Sequence, residues 1–140
     1  MSTAILLTNM GGPDSLESVH PYLKEIFLDP DLIQIPIRGL LREKFAEFLA
    51  GKRAPKSTKI FQAIGGSSPL LMITQDQAAK LEKQLRRQNL DCRVFAAMRY
   101  WHPFIEEVWQ HLQDEGFESV VMVSMYPFYS ASTTGSILRL

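Results

Sequence analysis

Cysteine is almost absent from this chain, and neither sign of charge prevails. Cys92 is the one cysteine among 140 residues, which excludes an internal disulfide framework and a zinc or iron–sulfur site built from several cysteines. Fifteen basic residues balance fifteen acidic ones, so no net field indicates a nucleic-acid partner. Because a lone cysteine suits a reducing compartment, we expect a cytoplasmic protein.

Long apolar runs are missing as well. No stretch approaches the roughly 20 apolar residues that span a bilayer. We also expect no signal or transit segment, because the first predicted strand starts by Thr3. Internal repeats and low-complexity segments are absent. The length fits one domain with a single core, over residues 1–140.

The sequence does contain an alternation of strand-like and helix-like segments. Short apolar runs at 4–7, 93–98 and 120–123 predict strands. Their order, with helical periodicity between them, predicts an α/β fold in which helices flank a parallel sheet with right-handed crossovers. About eighty residues separate the first two strands, where a plain crossover needs about a dozen. The surplus predicts two extra helices and a proline-broken apolar loop, inserted after strand one.

Local signals predict where the helices begin and end and which faces they bury. Asp14 with Glu17, and Thr74 with Gln77, form candidate capping pairs at helix starts. The second helix is expected to end at Gly51, before a basic connector. The predicted inward faces are Val19, Tyr22, Leu23, Ile26 and Phe27 on the first helix, Ile37, Leu40, Leu41, Phe45, Phe48 and Leu49 on the second, and Ile105, Val108, Trp109 and Leu112 on the last.

The carboxyl ends of the predicted strands share an unusual chemistry. Ligands of open α/β sheets bind at these ends, which here carry residues 9–13, 98–103 and 126–130, followed by the hydroxyl-rich segment 132–136. Apolar and aromatic side chains suit the faces of a flat ring, while arginine and hydroxyl groups suit carboxylates. The mixture predicts a site for a large flat ligand with acidic substituents.

Several of these features have a second interpretation that the residues alone leave open. The turn at 11–13 and the segment 132–136 fit either an anion site or ordinary helix starts. The apolar loop 32–37 fits either a ligand or membrane contact or partial burial. No nucleophile–base pair is present, so the residues by themselves predict a binding surface and no reaction.

Five motifs in order are far more specific together than any one of them: LTNMGGP (7–13), FLDPDLI (27–33), IGGSSPL (64–70), MRYWHP (98–103) and YPFYSASTTGS (126–136). Together they resemble the N-terminal half of the ferrochelatase family. Ferrochelatases insert ferrous iron into protoporphyrin IX to make protoheme, and their fold has two Rossmann-like α/β domains with a porphyrin cleft between them. The resemblance implies a Rossmann-like, chelatase-type domain with a helical lip insert after strand one. We expect the second α/β domain to be absent from this chain.

The resemblance also implies porphyrin-contacting positions, carried over position by position. Met10 is expected to face the metal centre from one side of the macrocycle, and Arg53 suits a propionate. Arg99 and Tyr100 are expected to line the floor of the pocket. Four of the remaining positions form an apolar lip, which holds the ring and in some members meets the membrane. Two others are further porphyrin contacts. The lip comprises Leu23, Ile26, Phe27 and Leu32, and the further contacts are Phe61 and Ser68.

Three positions refine what the resemblance implies. Position 61 is Phe where many members have Tyr, so ring packing without a hydroxyl contact is expected. Position 131 is Ala where animal members carry a cysteine ligand, so no iron–sulfur cluster is expected. Met10 favours the protoporphyrin type, because coproporphyrin-type enzymes usually have Tyr there.

Metal insertion needs a base that accepts the pyrrole protons and an apolar clamp on the ring. In the family the base is a histidine partnered by a glutamate, and the resemblance implies that both lie beyond residue 140. None of His20, His102 and His111 matches that histidine. The chain is therefore expected to bind porphyrin, to contain no catalytic residue and no cofactor, and to be inactive alone. The alternative function is a non-catalytic phosphate- or nucleotide-binding, flavodoxin-like module.

Overall fold

The computed structural model describes residues 2–34 and 36–139 and confirms an α/β fold with a parallel sheet flanked by helices. Among these residues, no helix combines the length and apolarity that crossing a membrane requires. The elements are β1 (Thr3–Asn9), α1 (Val19–Leu28), α2 (Leu40–Ala63), α3 (Leu70–Arg87), β2 (Cys92–Met98), α4 (Ile105–Asp114), β3 (Ser119–Ser124) and α5 (Thr134–Ile137).

The sheet has the order β2-β1-β3, so the first strand is central. Its interior residues are mostly buried, because helices cover both faces of a central parallel strand. Asn9 lies opposite Met98, and Thr8 lies opposite Ser124. This register brings the carboxyl ends of all three strands to one edge, where the sequence predicts the site.

One face of the sheet forms the main core with α4. Ile105, Val108 and Leu112 of that helix pack on Ala4 and Leu6 of β1. The predicted inward position of Trp109 is wrong, because its side chain is 43% exposed. It stands at the margin of the buried stripe and lines an open groove of about 450 Å³ beside β3.

The insert between β1 and β2 forms a second core, which we call the lip cluster. It is built on the packing of α1 against α2 at the carboxyl edge of the sheet. The cluster comprises buried Val19, Tyr22, Leu23, Ala50 and Tyr100, with half-buried Met10, Ile26, Phe27, Leu32, Ala54, Phe61 and Trp101 packed on them.

The structure corrects the prediction for the second helix. Instead of ending at Gly51, α2 runs for 24 residues through Gly51 and Pro55, so the predicted basic connector is helical. The predicted apolar face is wrong at Leu40, Leu41 and Phe48, which are 66%, 67% and 55% exposed. Phe45 and Leu49 of that face are half-buried. The small residues of α2 face α1 instead, which lets the two helices approach closely, and this packing outweighs the local breakers. The buried residues of α2 are Ala46, Ala50 and Ser57.

Both predicted capping pairs are wrong for a related reason. α1 begins at Val19 rather than near Asp14, whose carboxylate instead accepts a hydrogen bond from the Ser18 hydroxyl. α3 begins at Leu70, so Thr74 lies inside the helix, is buried, and donates its hydroxyl to the Leu70 carbonyl at 2.8 Å. In each case the side chain forms a hydrogen bond with a neighbouring group other than the predicted capping partner, as short polar residues readily do.

Larger side chains at the adjacent positions 50 and 51 of α2 should change the free energy of unfolding in opposite directions. Gly51→Ala should raise the free energy of unfolding by about 0.5–1 kcal/mol, because glycine is unfavourable inside a helix and a Cβ there meets only His20, at 4.0 Å. Ala50→Leu should lower it by about 1–3 kcal/mol through overpacking, because Ala50 is fully buried against α1. Urea denaturation of both variants checks this, and destabilisation by Gly51→Ala would show that α2 is interrupted there.

Candidate functional site

An apolar wall stands at the carboxyl edge of the sheet. The lip cluster contains all four predicted lip residues and three more of the predicted site residues, so the structure brings seven of the ten together. They come from the end of β1, from α1 and the turn after it, from α2, and from the segment after β2. These seven are Met10, Leu23, Ile26, Phe27, Leu32, Phe61 and Tyr100.

Hydrogen bonds fix the strand ends beneath this wall. The Met10 amide donates to the Asn9 side-chain oxygen at 2.9 Å, and the Met10 carbonyl accepts from the Tyr100 amide at 3.0 Å. The buried Tyr22 hydroxyl donates to the Gly11 carbonyl at 3.1 Å, and burial raises the pKa of this phenol to about 12. The main chain at Met10 and Gly11 is thereby hydrogen-bonded to α1 on one side and to the segment after β2 on the other.

The predicted floor residues meet a carboxylate that the motif analysis did not single out. Asp29 follows α1 directly, and its side chain is 1% exposed. Its Oδ2 atom accepts from the Tyr100 hydroxyl at 2.7 Å, from Arg99 Nη2 at 3.0 Å and from the Ser136 hydroxyl at 2.5 Å. Arg99 Nε also donates to Ser136 Oγ at 2.8 Å. We call Asp29, Arg99, Tyr100 and Ser136 the floor network.

The floor network keeps Asp29 ionised. Burial alone would raise the pKa of its carboxyl, but hydrogen bonds from Ser136, Tyr100 and the Asp31 amide, together with the Arg99 charge, outweigh burial and hold the pKa below its ordinary value. Burial raises the pKa of Tyr100 well above its usual range, so this phenol stays protonated as a donor.

Arg42 of α2 holds the turn that carries the lip. Its Nε donates to the Leu28 carbonyl at 2.8 Å and its Nη2 to the Ile33 carbonyl at 2.9 Å. A cation at the carboxyl end of α1 also complements the helix dipole. The turn around Leu32 is therefore tied to α2 as well as to the floor network.

The two remaining predicted site residues lie at the border of the wall. Ser68 packs so closely on Gly12 that a Cβ at position 12 would lie 2.4 Å from its hydroxyl, and its amide donates to the Pro13 carbonyl at 2.7 Å. Arg53 is exposed on α2, next to Ala54 of the lip cluster, and it has no ion-pair partner within residues 2–34 and 36–139.

Each of the three histidines has a glutamate partner, and His102 lies just before the start of α4. His102 lies 2.9 Å from Glu107, whose carboxylate also accepts the Phe104 amide at the start of α4. His20 pairs with Glu47 and His111 with Glu115 on the surface. Within the part of the chain that the structure describes, no group of three or more His, Cys, Asp or Glu residues could hold a metal ion.

The hydroxyl-rich segment after β3 is occupied internally. Ser136 belongs to the floor network, and the Thr134 and Ser124 hydroxyls bond to one another at 2.9 Å. The Thr133 hydroxyl contacts Ser130 Oγ at 2.8 Å and accepts the Ser130 amide. These contacts favour a structural turn over an anion site.

A larger groove lies away from the wall, between α3 and α4 on the outer side of β2. Its volume is about 1020 Å³. Both acidic residues that line it are already engaged. Glu82 pairs with Arg86 and accepts the Val94 amide, and Glu107 pairs with His102. It contains none of the predicted site residues and is not at the carboxyl edge of the sheet, where ligands of such folds bind.

Asp29 and Arg42 are the functional candidates that residue patterns did not single out, and Ser136 was included only as part of the hydroxyl-rich segment 132–136. Asp29 and Ser136 each lie inside a motif that carries the family resemblance, and this was the available signal. An isolated carboxylate in a turn is normally assigned to solvent, and its partners here are 70, 71 and 107 residues away in sequence.

Comparisons with known proteins decide the family. A family model described as Ferrochelatase matches residues 2–140. The chain belongs to the ferrochelatase family. It is 46% identical over 136 residues to Ferrochelatase of Gloeobacter violaceus and 45% identical over 138 residues to Ferrochelatase of Synechococcus sp. strain JA-3-3Ab. It is also 44% identical over 137 residues to Ferrochelatase-2, chloroplastic, of Arabidopsis thaliana.

These matches use nearly all of this chain and a minor part of each ferrochelatase relative. They cover 97%, 99% and 97% of the chain but 41%, 40% and 27% of the three relatives, in the same order. The chain therefore spans less than half the length of the curated relatives it matches.

The floor network should make stability depend on pH. Because the pKa of Asp29 is lowered in the fold, its contribution is fully present above its unfolded pKa of about 3.9 and is lost as pH falls through the lower folded pKa. Asp29→Asn should therefore lower the free energy of unfolding by on the order of 3 kcal/mol at pH 7. The difference from the parent protein should shrink below about pH 4.

Denaturant unfolding between pH 7 and pH 2 measures this difference. Asp31→Asn is the matched control, because that carboxylate pairs with Arg139 nearer the surface and should cost about 1 kcal/mol or less. If the free energies of unfolding of Asp29→Asn and the parent protein differ by the same amount down to pH 2, Asp29 is not ionised in the fold.

Proposed function

We propose that the protein to which this chain belongs inserts ferrous iron into protoporphyrin IX to give protoheme, and that this chain supplies one wall of the porphyrin site. The observation that carries the proposal is the lip cluster beside the floor network at the carboxyl edge of the sheet, in a chain that belongs to the ferrochelatase family. Ferrous iron and porphyrin are then substrates, and no resident cofactor is required.

The physical requirements of metal insertion fit this wall. A porphyrin is a wide apolar plane, and side chains such as Leu23, Ile26 and Phe27 can bury one of its faces. Clamping the ring out of plane exposes the nitrogen lone pairs to the ion. Met10, whose main chain is fixed at the end of β1, is the residue we place nearest the ring centre.

The two arginines of the proposed site have different electrostatic surroundings, which assigns them different roles. Arg99 is already neutralised by Asp29 and is mostly buried. Arg53 is exposed beside the lip cluster, with no ion pair among the residues that the structure describes. We therefore assign the propionate contact to Arg53, since a free guanidinium gains more from a new carboxylate partner than a paired one does.

The base that removes the pyrrole protons belongs, in this proposal, to a part of the protein outside this chain. Each histidine here is engaged with a glutamate, and none matches the histidine that serves as the base in the family. The isolated chain should then bind porphyrin weakly and not catalyse insertion. Ala131 supports a site without an iron–sulfur cluster, and Met10 supports the protoporphyrin type.

The competing function, a phosphate- or nucleotide-binding module, receives no support from the site. The hydroxyls of 132–136 are largely engaged by neighbouring protein groups, and Gly12 lies against Ser68. That function predicts protection of residues 11–15 and 132–136 by phosphate ligands and indifference to porphyrin.

Porphyrin titration and a metal-insertion assay test the proposal. In a Trp109→Phe variant, Trp101 is the one tryptophan of the chain, and it packs in the lip cluster. We expect protoporphyrin to quench its fluorescence saturably, and we expect the intact protein, but not the isolated chain, to insert ferrous iron. Efficient insertion by the chain alone would overturn the assignment of the base, and no porphyrin binding by the intact protein would overturn the function.

Arg53→Ala should weaken the binding of protoporphyrin about tenfold, the effect of losing one charge-assisted hydrogen bond. The dimethyl ester of protoporphyrin should bind the parent protein and the variant equally, because it has no carboxylate to pair. Lys59→Ala, which removes another exposed cation of α2, should change neither affinity. An equal loss for acid and ester would show that Arg53 acts by packing rather than by charge.

We further propose a cytoplasmic protein whose lip makes a peripheral membrane contact. The single cysteine suits a reducing compartment, and exposed Leu40 and Leu41 lie at the start of α2, close to the lip turn in sequence. The paired substitution Leu40→Ser and Leu41→Ser should reduce co-sedimentation with phospholipid vesicles about tenfold. Met72→Ser, at an exposed position of α3, is the control. Equal sedimentation of all proteins would contradict the membrane contact.

A further inference from the structure

We infer that Asp29 is a positioning residue for porphyrin, which acts by holding Arg99 and Tyr100 in the floor and by fixing the lip turn to them. The inference rests on the proposed function, because it takes the floor that Arg99 and Tyr100 form to lie against the ring. Neither the family resemblance nor the similar proteins assign a role to Asp29.

The two carboxylate oxygens of Asp29 accept hydrogen bonds from different parts of the chain. Oδ2 accepts from Tyr100, Arg99 and Ser136, and so gathers three side chains from two other segments of the chain. Oδ1 accepts the Asp31 amide at 2.7 Å and so shapes the turn after α1. One buried carboxylate thereby joins the turn that carries Leu32 to the floor.

The main chain of Asp29 completes this connection. Its amide donates to the Ile26 carbonyl at 3.3 Å, and its carbonyl accepts the Leu32 and Ile33 amides at 3.3 and 3.0 Å. The lip residues Ile26 and Leu32 are thus hydrogen-bonded directly to the residue whose side chain anchors the floor. A shift of Asp29 would move both surfaces that the ring is proposed to touch.

The partners of Asp29 depend on it to different degrees. Tyr100 is 1% exposed, so without the carboxylate its hydroxyl would retain only the 3.3 Å contact with Ser136 among the residues described. Arg99 would retain the Ser136 oxygen but lose its counter-charge. A buried arginine without an anion would be expected to turn toward solvent and leave its place in the floor.

Steady-state kinetics of the intact protein test the inference. Asp29→Asn should raise the KM for protoporphyrin about tenfold, the factor that one lost hydrogen bond to a charged group produces. The kcat and the KM for ferrous iron should change by less than about twofold, because the base is elsewhere. Asp76→Asn makes the same chemical change on the exposed side of α3, where the carboxylate pairs with Lys80, and should leave all three values unchanged.

A raised porphyrin KM with an unchanged kcat distinguishes a positioning role from a loss of folded protein. A purely structural lesion lowers the active fraction, and hence the apparent kcat, without changing the KM. If Asp29→Asn does not fold, Ser136→Ala tests the same network, because its hydroxyl joins Asp29 to Arg99, and it should raise the porphyrin KM about threefold. An unchanged porphyrin KM in every folded variant of Asp29 and Ser136 would overturn the inference.

Tyr100→Phe distinguishes this failure from failure of the proposed function. If Asp29 acts through the floor, Asp29→Asn combined with Tyr100→Phe should raise the porphyrin KM no more than the larger single effect. If Tyr100→Phe raises the KM and Asp29→Asn does not, the inference alone is wrong. If the parent protein neither binds porphyrin nor inserts iron, the proposed function is wrong.

Discussion

The arrangement of the site depends on one buried carboxylate. Asp29 brings together a turn from the insert after β1, the segment after β2 and the short helix after β3. These segments leave the sheet at the same edge because its strands are parallel and in register, but nothing in a parallel sheet fixes how the segments meet. A buried ion pair does so directionally, since each donor must reach the same oxygen. The apolar residues of the lip cluster then pack around a fixed polar centre.

The insert itself is shaped by small side chains. α1 and α2 approach closely because Ala46 and Ala50 leave no bulk between them, and the surface pair of Lys24 with Glu47 joins the same two helices. The larger apolar residues are therefore displaced to the ends and outer side of α2, where some stay exposed. An insert built in this way leaves several apolar side chains half-buried or exposed, and such side chains are what the proposed porphyrin wall requires.

The sequence predicts the features that neighbouring residues determine, and it does not predict those that depend on contacts between distant parts of the chain. Strand positions and the stripe of Val19, Tyr22 and Leu23 on α1 follow from periodicity, and the structure confirms them. The end predicted for the second helix at Gly51 was wrong, because packing on α1 overrides a local breaker. Asp29 was not singled out because a local pattern does not show a partner about 70 residues away. The roles carried over from the family, such as that of Arg53, stay predictions.

The central claim is that a porphyrin lies against the lip cluster and the floor network. Hydrogen exchange of the intact protein, with and without protoporphyrin, tests this most directly, because opening of the backbone is suppressed where a ligand binds. We predict slower exchange in residues 26–33 and 98–101, and no change in α3 and α4, which border the 1020 Å³ groove. Protection confined to α3 and α4, with unchanged exchange in residues 26–33 and 98–101, would contradict the account.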